Sequence, residues 1–382
     1  MKKEIGLYLV IVFMFCACNH KQNLNNSNLE ILNIESAIKS DSAIIKNPFF
    51  EVIKLETIGE SLLSNVQKAF VDDENDRVFV LSDFNLFIFH VSGKFITKLK
   101  IGRGPGEISR LSSFSVNSKL KQICVLDNSQ YLCEYDYSGN FIKKSTLSDF
   151  FSFDLFYKSN DSYFLSSNYV GKSEKNFVSV FNAEKEQVVD KMVSLEFSSY
   201  PTSSNIILPF NFFRKNKDVY FISADIFTLF HFDNETFNPI YKFEVGDKKV
   251  PKNLAEDLLL NSKHLFREQV KEKGFIPHLL YVVFFNDYCF FGLDDENYSC
   301  FSFDINQPKK LFVKTSIASY FGLPEVNSFR LPVGYYDNSL LFIGYPSSFF
   351  EEESSELTKS VKIGNISVDV NINENPFVLR IK

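Results

Sequence analysis

The chain has 382 residues and a formal net charge of −6 at pH 7; 44 residues are Phe, 17 are Tyr and none is Trp. Net acidity without a basic tract argues against a nucleic-acid partner, because phosphate backbones are bound by clustered lysines and arginines. The abundant aromatic residues favour pleated, half-buried surfaces and so indicate β-sheets.

The N-terminal segment predicts export. Residues 1–17 begin with two lysines after Met1 and continue with an apolar stretch at 5–15, which is too short to span a bilayer as a helix and is typical of a secretory signal peptide. Ala17 before Cys18 resembles the lipobox of bacterial lipoproteins. The resemblance implies cleavage before Cys18, lipidation of its thiol and attachment to a membrane through this anchor. A plain signal peptide without lipid is the alternative.

Residues 18–47 are predicted to form a tether, since they are rich in Asn, Ser and Lys and only weakly patterned at 29–38. No acidic cluster follows Cys18. Such a cluster resembles the surface-export signal of Bacteroidetes lipoproteins. Its absence therefore favours a cell-envelope lipoprotein of the outer membrane that faces the periplasm.

From residue 48 to the C terminus, a polar turn followed by a burst of strand-forming residues recurs six times. The bursts lie at 78–81, 123–126, 163–165, 219–222, 288–291 and 340–343. In five copies the next strand ends with an aromatic residue before a polar one, as in Phe89-His90, Tyr135-Asp136, Phe181-Asn182, Phe232-Asp233 and Phe303-Asp304. Candidate inner strands precede the copies at 66–71, 114–116, 150–153, 210–213, 279–284 and 329–333. This repeat predicts an all-β fold for residues 48–382, a six-bladed β-propeller with four-stranded antiparallel blades.

Two further segments fit this architecture. Apolar residues at near-helical spacing predict a short helical insertion at 253–273, which we expect to cover one face; a membrane-binding or partner-binding helix is the alternative. Strand-like segments at 49–55 and 376–381 predict that the two ends of the propeller share the sixth blade and close the ring, which leaves few exposed strand edges.

Four cysteines follow the signal, and each pair brackets one predicted hairpin: Cys124 with Cys133, and Cys289 with Cys300. An oxidising periplasm permits disulfides, but a bridge within one hairpin requires narrow geometry. Buried free thiols are therefore favoured, and the disulfide alternative stays open. The cysteines are accompanied by no CxxC motif and no clustered His, so neither a metal nor another cofactor is expected.

The segment 101–107 contains a glycine-rich loop formed by Gly102, Gly104, Pro105 and Gly106, which fix an irregular backbone path. It lacks the Lys-Ser/Thr pair and the following helix of a phosphate loop. We expect a structural link between blades. The alternative is that the loop holds Arg103 and Glu107 toward a ligand.

The motif Gly104-Pro105-Gly106-Glu107, with residues 54–57 upstream and the 89–95 hairpin between them, carries a family resemblance. It resembles the six-bladed β-propeller lipoproteins of Bacteroidetes, NHL-like propellers of uncharacterised function. The resemblance covers about residues 50–382 and is strongest in the first two blades. It implies an exported propeller and brings no established activity, so no catalytic residue is assigned.

Propeller topology indicates a candidate ligand face. In a four-stranded blade, the turn between the second and third strands and the link between blades emerge on the same side. The polar residues at these places are Arg103, Glu107, Asp83, Asn85, Asp127, Asn128, Asp225, Asp294, Asp295 and Glu296. Most are residue types common in ordinary turns.

Three classes of function remain. The favoured one is a non-catalytic recognition or scaffold module that binds a glycan, a peptide or an envelope protein on one face. The second is a glycan lyase or hydrolase, which needs converging carboxylates or a perturbed His; the chain has five His and neither GxSxG nor HExxH. The third is a propeller stabilised by Ca²⁺ at Asp72 to Asp76, although this acidic turn lacks the glycine and distal Glu of an EF-hand loop.

Overall fold

The computed structural model describes residues 29–39, 45, 48–147, 150–159, 161–167, 175–201, 204, 206–351 and 356–382. The predicted signal peptide and Cys18 lie outside these residues. Six sheets, each built on four antiparallel strands, form the blades of a six-bladed β-propeller, which confirms the predicted fold.

Consecutive groups of strands along the chain belong to consecutive blades of the ring. Three precede the first blade: β1 (Glu30–Asn33), β2 (Ile38–Lys39) and β3 (Phe50–Lys54). Blade 1 contains β4 (Val66–Asp72), β5 (Arg77–Ser82), β6 (Asn85–His90) and β7 (Phe95–Lys98). Blade 2 contains β8 (Leu111–Asn117), β9 (Gln122–Asp127), β10 (Tyr131–Asp136) and β11 (Phe141–Thr146). Blade 3 contains β12 (Asp154–Ser159), β13 (Ser162–Ser166), β14 (Asn176–Asn182) and β15 (Gln187–Ser194).

The second half of the ring has the longer connections. Blade 4 contains β16 (Phe212–Lys215), β17 (Asp218–Ser223), β18 (Ile226–Asp233) and β19 (Thr236–Glu244). Blade 5 contains β20 (Leu279–Phe285), β21 (Tyr288–Leu293), β22 (Cys300–Asp304) and β23 (Phe312–Lys314). Blade 6 contains β24 (Gly334–Tyr336), β25 (Ser339–Gly344), the C-terminal β28 (Phe377–Ile381) and β3, and a separate hairpin of β26 (Thr358–Ile363) and β27 (Ile366–Asn371) is inserted before β28.

Turn chemistry explains why the repeat is regular. Each of the six turns between the first and second strands of a blade has a residue in the left-handed region. These residues are Asp76, Lys121, Asp161, Asn216, Asn286 and Asp337, with φ between 47° and 61°. Asn and Asp enter this region more easily than other side chains, so the polar turns seen in the sequence punctuate the blades at matching places.

The helical insertion is confirmed and consists of α1 (Lys252–Asn261) and α2 (Phe266–Glu272). Their buried residues, among them Leu258, Phe266 and Val270, form a small apolar cluster with Tyr200. A third helix, α3 (Ile317–Tyr320), is a single turn. Short 3-10 helices occupy Ile34–Ser36, Asp73–Asn75, Leu195–Phe197, Gly246–Lys248, Lys263–Leu265, Asn327–Phe329 and Pro346–Phe349. No helix in the described ranges is long and apolar enough to cross a membrane.

Two predicted inner strands are wrong. Residues 150–153 precede β12, which begins at Asp154, and residues 329–333 precede β24. The apolar side chains that suggested strands pack connecting segments instead. Phe150 is buried among residues of blades 2 and 3, and Phe329 contacts the rings of Phe342 and Phe349.

The predicted ring closure is confirmed, because β3 is the outermost strand of blade 6 and pairs antiparallel with β28 from Phe50 opposite Ile381 to Lys54 opposite Phe377. The N-terminal residues extend this arrangement. Strand β1 pairs parallel with β19 of blade 4, and β2 pairs parallel with β23 of blade 5. We call the described residues between 30 and 54 the N-terminal belt, since they cover the outer edges of three consecutive blades.

The acidic turn at Asp72 to Asp76 is held by hydrogen bonds from other side chains of the protein. The Arg380 guanidinium donates to Asp73 at 2.6 Å, and this hydrogen bond is the main reason that the pKa of Asp73 is lowered. Asp72 accepts from the hydroxyl of Tyr137 and, at 3.0 Å, from Asn75 Nδ2. Within the described ranges, no three His, Cys, Asp or Glu residues are grouped to hold a metal ion.

The four described cysteines are free and buried. Strand register explains why they do not pair. Cys124 lies opposite Glu134 rather than Cys133, and the two thiols belong to apolar clusters on opposite faces of blade 2. Cys289 lies opposite Phe303, three positions along the hairpin from Cys300, so these two side chains also point to opposite faces.

Candidate functional site

The centre of the ring is held by one buried carboxylate. Asp154, at the start of β12, accepts from Lys68 Nζ of β4 at 2.8 Å and from Ser113 Oγ of β8 at 2.5 Å. Its other oxygen accepts from the backbone N–H groups of Asn211 and Phe212, at 2.6 and 3.4 Å. Four consecutive blades are therefore tied together at the axis by Asp154.

Lys68 lines two cavities along the axis, so the Asp154 cluster lies between them. The two cavities open on opposite faces of the ring. The upper cavity, of about 840 Å³, opens on the face of the strand 2 to strand 3 turns. The lower cavity, of about 720 Å³, opens on the face of the strand 1 to strand 2 turns.

Blade 5 stands back from this axis. Every residue of β20 is buried and none lines either cavity. The inner strands of blades 4 and 6 meet in front of it, where Asp337 N–H donates to the Arg214 carbonyl at 3.3 Å. Beside blade 5, α2 and the 294–299 turn place Arg267 and Tyr298 in the lining of the upper cavity.

Two arginines reach the upper cavity around one tyrosine. The Cζ atoms of Arg267 and Arg330 lie 5.8 and 5.4 Å from the ring centroid of Tyr298, and all three residues line the cavity. Lys271 Nζ lies 4.4 Å from the same centroid. Cations held against an aromatic face are stabilised by the ring quadrupole.

A third arginine lines the upper cavity from the blade 1 to blade 2 link. Arg110 Cζ lies 4.1 Å from the ring centroid of Phe84, which is 40% exposed. With Lys68 there are four cationic residues in the lining, whereas its described residues include no Asp and no Glu. Two of these cations, Lys68 and Arg267, are paired with the buried carboxylates of Asp154 and Asp294. The cationic and partly aromatic character of the upper cavity therefore rests mainly on Arg110 and Arg330 and on the rings beside them.

Asp294 fixes Arg267. Its fully buried carboxylate accepts from Arg267 Nε at 2.5 Å and Nη2 at 2.8 Å, from Lys271 Nζ at 3.0 Å and from His278 Nδ1 at 3.2 Å. Burial raises the pKa of Asp294, but the hydrogen bonds from His278 and Arg267 and the Arg267 charge outweigh it and hold this pKa well below its ordinary value. The bidentate contact joins α2 to blade 5 and orients the guanidinium at the cavity wall.

Asp225 flanks the same histidine from the other side. Its carboxylate accepts from the backbone N–H of Ser204 at 3.1 Å and from the Ser204 hydroxyl, and lies 3.8 Å from His278 Nε2. Burial is the main reason that the pKa of Asp225 is raised. Neither carboxylate lines a cavity, so this buried group supports the upper face from behind.

The family model described as Domain of unknown function (DUF4934) matches residues 29–382. The chain belongs to this family. No curated protein matches it. The expected membership in a six-bladed propeller family of uncharacterised function is thereby confirmed.

One solved structure supports this fold. A presumed exported protein of Bacteroides fragilis NCTC 9343 is similar with a TM-score of 0.69 and 16% identity, over 93% of this chain and 99% of that one. The RRP9 WD40 repeats give a TM-score of 0.45 at 10% identity, over 87% and 97% of the two chains. The U3-55K structure gives 0.42 at 11%, over 69% and 65%. At these identities the first similarity supports the fold, and the other two support nothing further.

Two predicted face residues order the backbone of turns that carry residues of the upper cavity. Asp127 is buried, and its Oδ1 accepts from the backbone N–H groups of Ser109 and Arg110, both at 2.9 Å. Asp295 accepts from the backbone N–H groups of Asn297 and Ser299, at 3.1 and 2.8 Å, and so shapes the turn that presents Tyr298.

The other predicted face residues are spread around the rim. Asn128 lines the upper cavity. Asp83 is exposed and accepts from Ser64 Oγ at 2.5 Å, Asn85 is buried and accepts from the Leu86 N–H at 2.8 Å, and Glu296 is exposed. The structure therefore brings Asn128 to the cavity and leaves these other three residues at its periphery.

The glycine-rich loop folds on itself. Glu107 accepts from the Gly104 N–H at 2.8 Å, and a Cβ at Gly102 would lie 2.0 Å from Glu107 Oε2. Gly106 has φ of +75°, and its carbonyl accepts from the Tyr135 hydroxyl at 3.2 Å. Arg103 is exposed and lines neither axial cavity.

Sequence reasoning missed the residues that dominate the upper cavity, namely Arg110, Arg267, Arg330 and Tyr298. One signal was present for the axial cluster. Lys68 stands in the middle of the predicted inner strand 66–71, where an unpaired charge is costly, so a buried acidic partner could have been expected. Arg267 lies in an insertion, which the repeat pattern could not place.

Proposed function

We propose that this chain is a non-catalytic recognition module of the cell envelope that binds an anionic ligand in the upper cavity. The observation that carries the proposal is a cavity of about 840 Å³ whose lining has three arginines and Lys68 and, among its described residues, no carboxylate. Arginine forks match the geometry of carboxylate and sulfate groups, and a bowl of this size is within the range of ligand sites.

An acidic glycan is the ligand class that we favour. Phe84 and Tyr298 place aromatic rings beside cationic groups, which suits a sugar that carries carboxylate or sulfate substituents on an otherwise apolar C–H face. An acidic peptide segment of an envelope protein has the same charge and is the competing outcome. Export fits the similarity to a presumed exported protein. We further propose that Cys18 carries a lipid and that the module faces the periplasm from the outer membrane.

The proposal is tested by calorimetric titration of the purified protein with an oligogalacturonate trimer, a heparin-derived tetrasaccharide and a hexaglutamate peptide. We expect an acidic glycan to bind with an affinity that falls as salt rises, because exposed ionic contacts are screened. Among the described residues, Arg330 packs its guanidinium over the Tyr298 ring and forms no ion pair. Arg330→Met therefore removes a cation without breaking a structural ion pair.

Arg330→Met should weaken binding about tenfold or more, as expected for loss of a charged hydrogen bond. The matched control is Lys252→Met on α1, where an 85% exposed lysine lies outside the cavity lining and should leave affinity unchanged. Preference for hexaglutamate would assign a peptide partner. Absence of binding by all three probes would refute the anionic site.

The enzymatic alternative requires two carboxylates that face one substrate. The described lining of the upper cavity provides none, whereas Glu74 and Asp161 line the lower one. Prolonged incubation with the bound glycan followed by analysis of reducing ends tests this alternative. Product formation that Glu74→Gln or Asp161→Asn abolishes would replace the binding proposal with an enzymatic one.

A further inference from the structure

The N-terminal belt shows that the outer edges of this propeller accept extended strands. β1 adds a parallel strand to β19 of blade 4, and β2 adds one to β23 of blade 5. Leu32 of β1 is only 1% exposed in this position. An edge strand presents unpaired N–H and C=O groups, and an added strand satisfies them. The fold therefore contains two examples of strand addition within its own chain.

The outer edge of blade 2 is open in the corresponding place. β11 is the outermost strand of its sheet, and in the described ranges no strand pairs with its outer side. Its apolar residues Phe141 and Ile142 are 41% and 46% exposed, and Ile101 in the neighbouring glycine-rich loop is 60% exposed. This loop touches the strand, because a Cβ at Gly106 would lie 2.7 Å from Phe141 Cβ. Exposed apolar side chains grouped at an open edge indicate a place where another chain binds.

The same edge is cationic. Residues 98–107 and 141–146 contain five Lys or Arg side chains and one carboxylate, that of Glu107. Glu107 accepts from the backbone of its own loop, and Asp136 caps the turn that precedes β11. Lys144 packs its Nζ over an aromatic ring and, within the described part of the chain, forms no ion pair. An acidic partner would therefore meet positive charge that the protein does not neutralise itself.

Blade 3 provides the internal comparison. Its outermost strand, β15, is also open in the described ranges and carries Val189, which is 48% exposed. Beside Val189 the strand has Asp190 and Lys191, one charge of each sign, and the turn at 184–186 adds two Glu and one Lys. An open edge with an exposed apolar residue is therefore not positively charged by default, and the excess of cations is a property of the blade 2 edge.

Two occupants from within this chain fit poorly. A second copy is disfavoured, because pairing two β11 edges would set lysines against lysines, and like charges on paired strands are destabilising. The belt does not compete for β11, since β1 and β2 lie on blades 4 and 5, across the ring from blade 2. The chemistry of the edge instead matches a segment that is both acidic and apolar.

We propose that the outer edge of β11 is a docking site for an extended segment of a partner protein in which Asp or Glu alternates with apolar residues. The segment adds a strand to blade 2, as β1 does to blade 4. Its carboxylates lie near Lys144 and Arg103, and its apolar side chains pack against Phe141 and Ile142. The site goes beyond the proposed function, because none of these residues lines the upper cavity.

The test is titration of the purified protein with the peptide acetyl-Glu-Ile-Glu-Val-Glu-Ile-amide, by calorimetry and by hydrogen exchange of the backbone amides. Hydrogen exchange identifies the site, since strand addition should slow exchange of residues 141–146. The same peptide with N-methyl groups on alternate residues keeps its side chains but loses N–H donors. It should bind about tenfold more weakly or worse, as should a peptide with Lys in place of each Glu.

Two variants test the protein side. Ile142→Ser removes an apolar contact and Lys144→Glu reverses a charge, and each should weaken the acidic peptide about tenfold or more. The matched control for Ile142→Ser is Val189→Ser on the open edge of blade 3, at a similarly exposed position, which should leave affinity unchanged.

Arg330→Met separates this site from the upper cavity, because it should leave the slowed exchange at 141–146 intact. The inference is overturned if the acidic peptide does not slow exchange at 141–146, if the N-methylated peptide binds equally well, or if affinity survives both blade 2 variants. Peptide binding that Arg330→Met abolishes would assign the peptide to the upper cavity and would likewise reject docking at β11.

Discussion

Replacement of Asp154 by Asn tests whether one buried carboxylate holds the inner strands together. Asp154 is 1% exposed and accepts from Lys68, Ser113 and two backbone N–H groups. Asparagine keeps one acceptor oxygen but must turn its NH₂ group either toward Lys68 or toward the backbone donors. Removing one partner of a buried ion pair costs about 3–5 kcal/mol, and we expect the Asn variant to lose stability in this range.

The loss is measurable as a fall in Tm. With an unfolding entropy of about 2.1 cal/mol/K per residue over roughly 330 propeller residues, 1 kcal/mol corresponds to about 1.4 °C. Asp154→Asn should therefore lower Tm by about 4 to 7 °C in differential scanning calorimetry. The control Asp247→Asn alters an exposed carboxylate and should shift Tm by less than about 1 °C.

A double-mutant cycle with Lys68→Met separates the ion pair from the other contacts. The double variant contains neither charge, so its destabilisation should be smaller than the sum of the two single effects by about 2 kcal/mol or more. Additive effects, or a Tm of the Asn variant within about 1 °C of the parent, would show that Asp154 is not the tie between the blades.

Three further predictions concern other parts of the molecule. Because the pKa of Asp294 is lowered in the folded protein, its ion pairs contribute stability that is complete above pH about 4 and is lost as pH falls through the folded pKa. The difference in Tm between the parent and Asp294→Asn should therefore narrow below pH about 4. A constant difference would contradict this prediction. The four described cysteines should resist iodoacetamide in the native protein and react without reductant after unfolding, and a disulfide-linked peptide in the non-reduced digest would disprove the free-thiol assignment. Ile53→Ala in β3 removes a buried side chain from the closing blade and should cost about 2–5 kcal/mol in chemical denaturation, whereas Ile58→Ala, at a 44% exposed position, should be nearly neutral; equal effects would argue against closure through β3.

The fold could be predicted from the sequence because each repeat is marked by residues whose backbone preferences are local. A left-handed Asp, such as Asp76 or Asp337, followed by strand-forming residues marks the turn after an inner strand wherever it occurs. The parallel additions of β1 and β2 could not be predicted in this way. Their pairing partners, β19 and β23, lie hundreds of residues away, and a short strand at a sheet edge carries little hydrophobic pattern of its own.

Of the predicted face residues, Asn128 lines the upper cavity, and two others support turns of its wall. Topology assigned Asp127 and Asp295 to the upper face, and both order the backbone of turns that carry a cavity residue. Two of the cationic residues of the cavity, Arg267 and Arg330, lie in segments that are not part of the blade repeat. Arg267 lies in the helical insertion and Arg330 follows a 3-10 turn between blades, so their convergence on Tyr298 depends on tertiary packing that no local spacing records.

The belt strand β3 is synthesised long before its pairing partner β28. During synthesis, residues 50–54 leave the ribosome more than 300 residues before their partner strand 377–381 exists. Blades 1 to 5 each contain four strands that follow one another in the chain, whereas β3 of blade 6 and the added strands β1 and β2 come from the N-terminal belt. Blade 6 is therefore complete only when residues 377–381 meet β3, and a polypeptide that lacks residues 377–381 would leave β3 without its antiparallel partner.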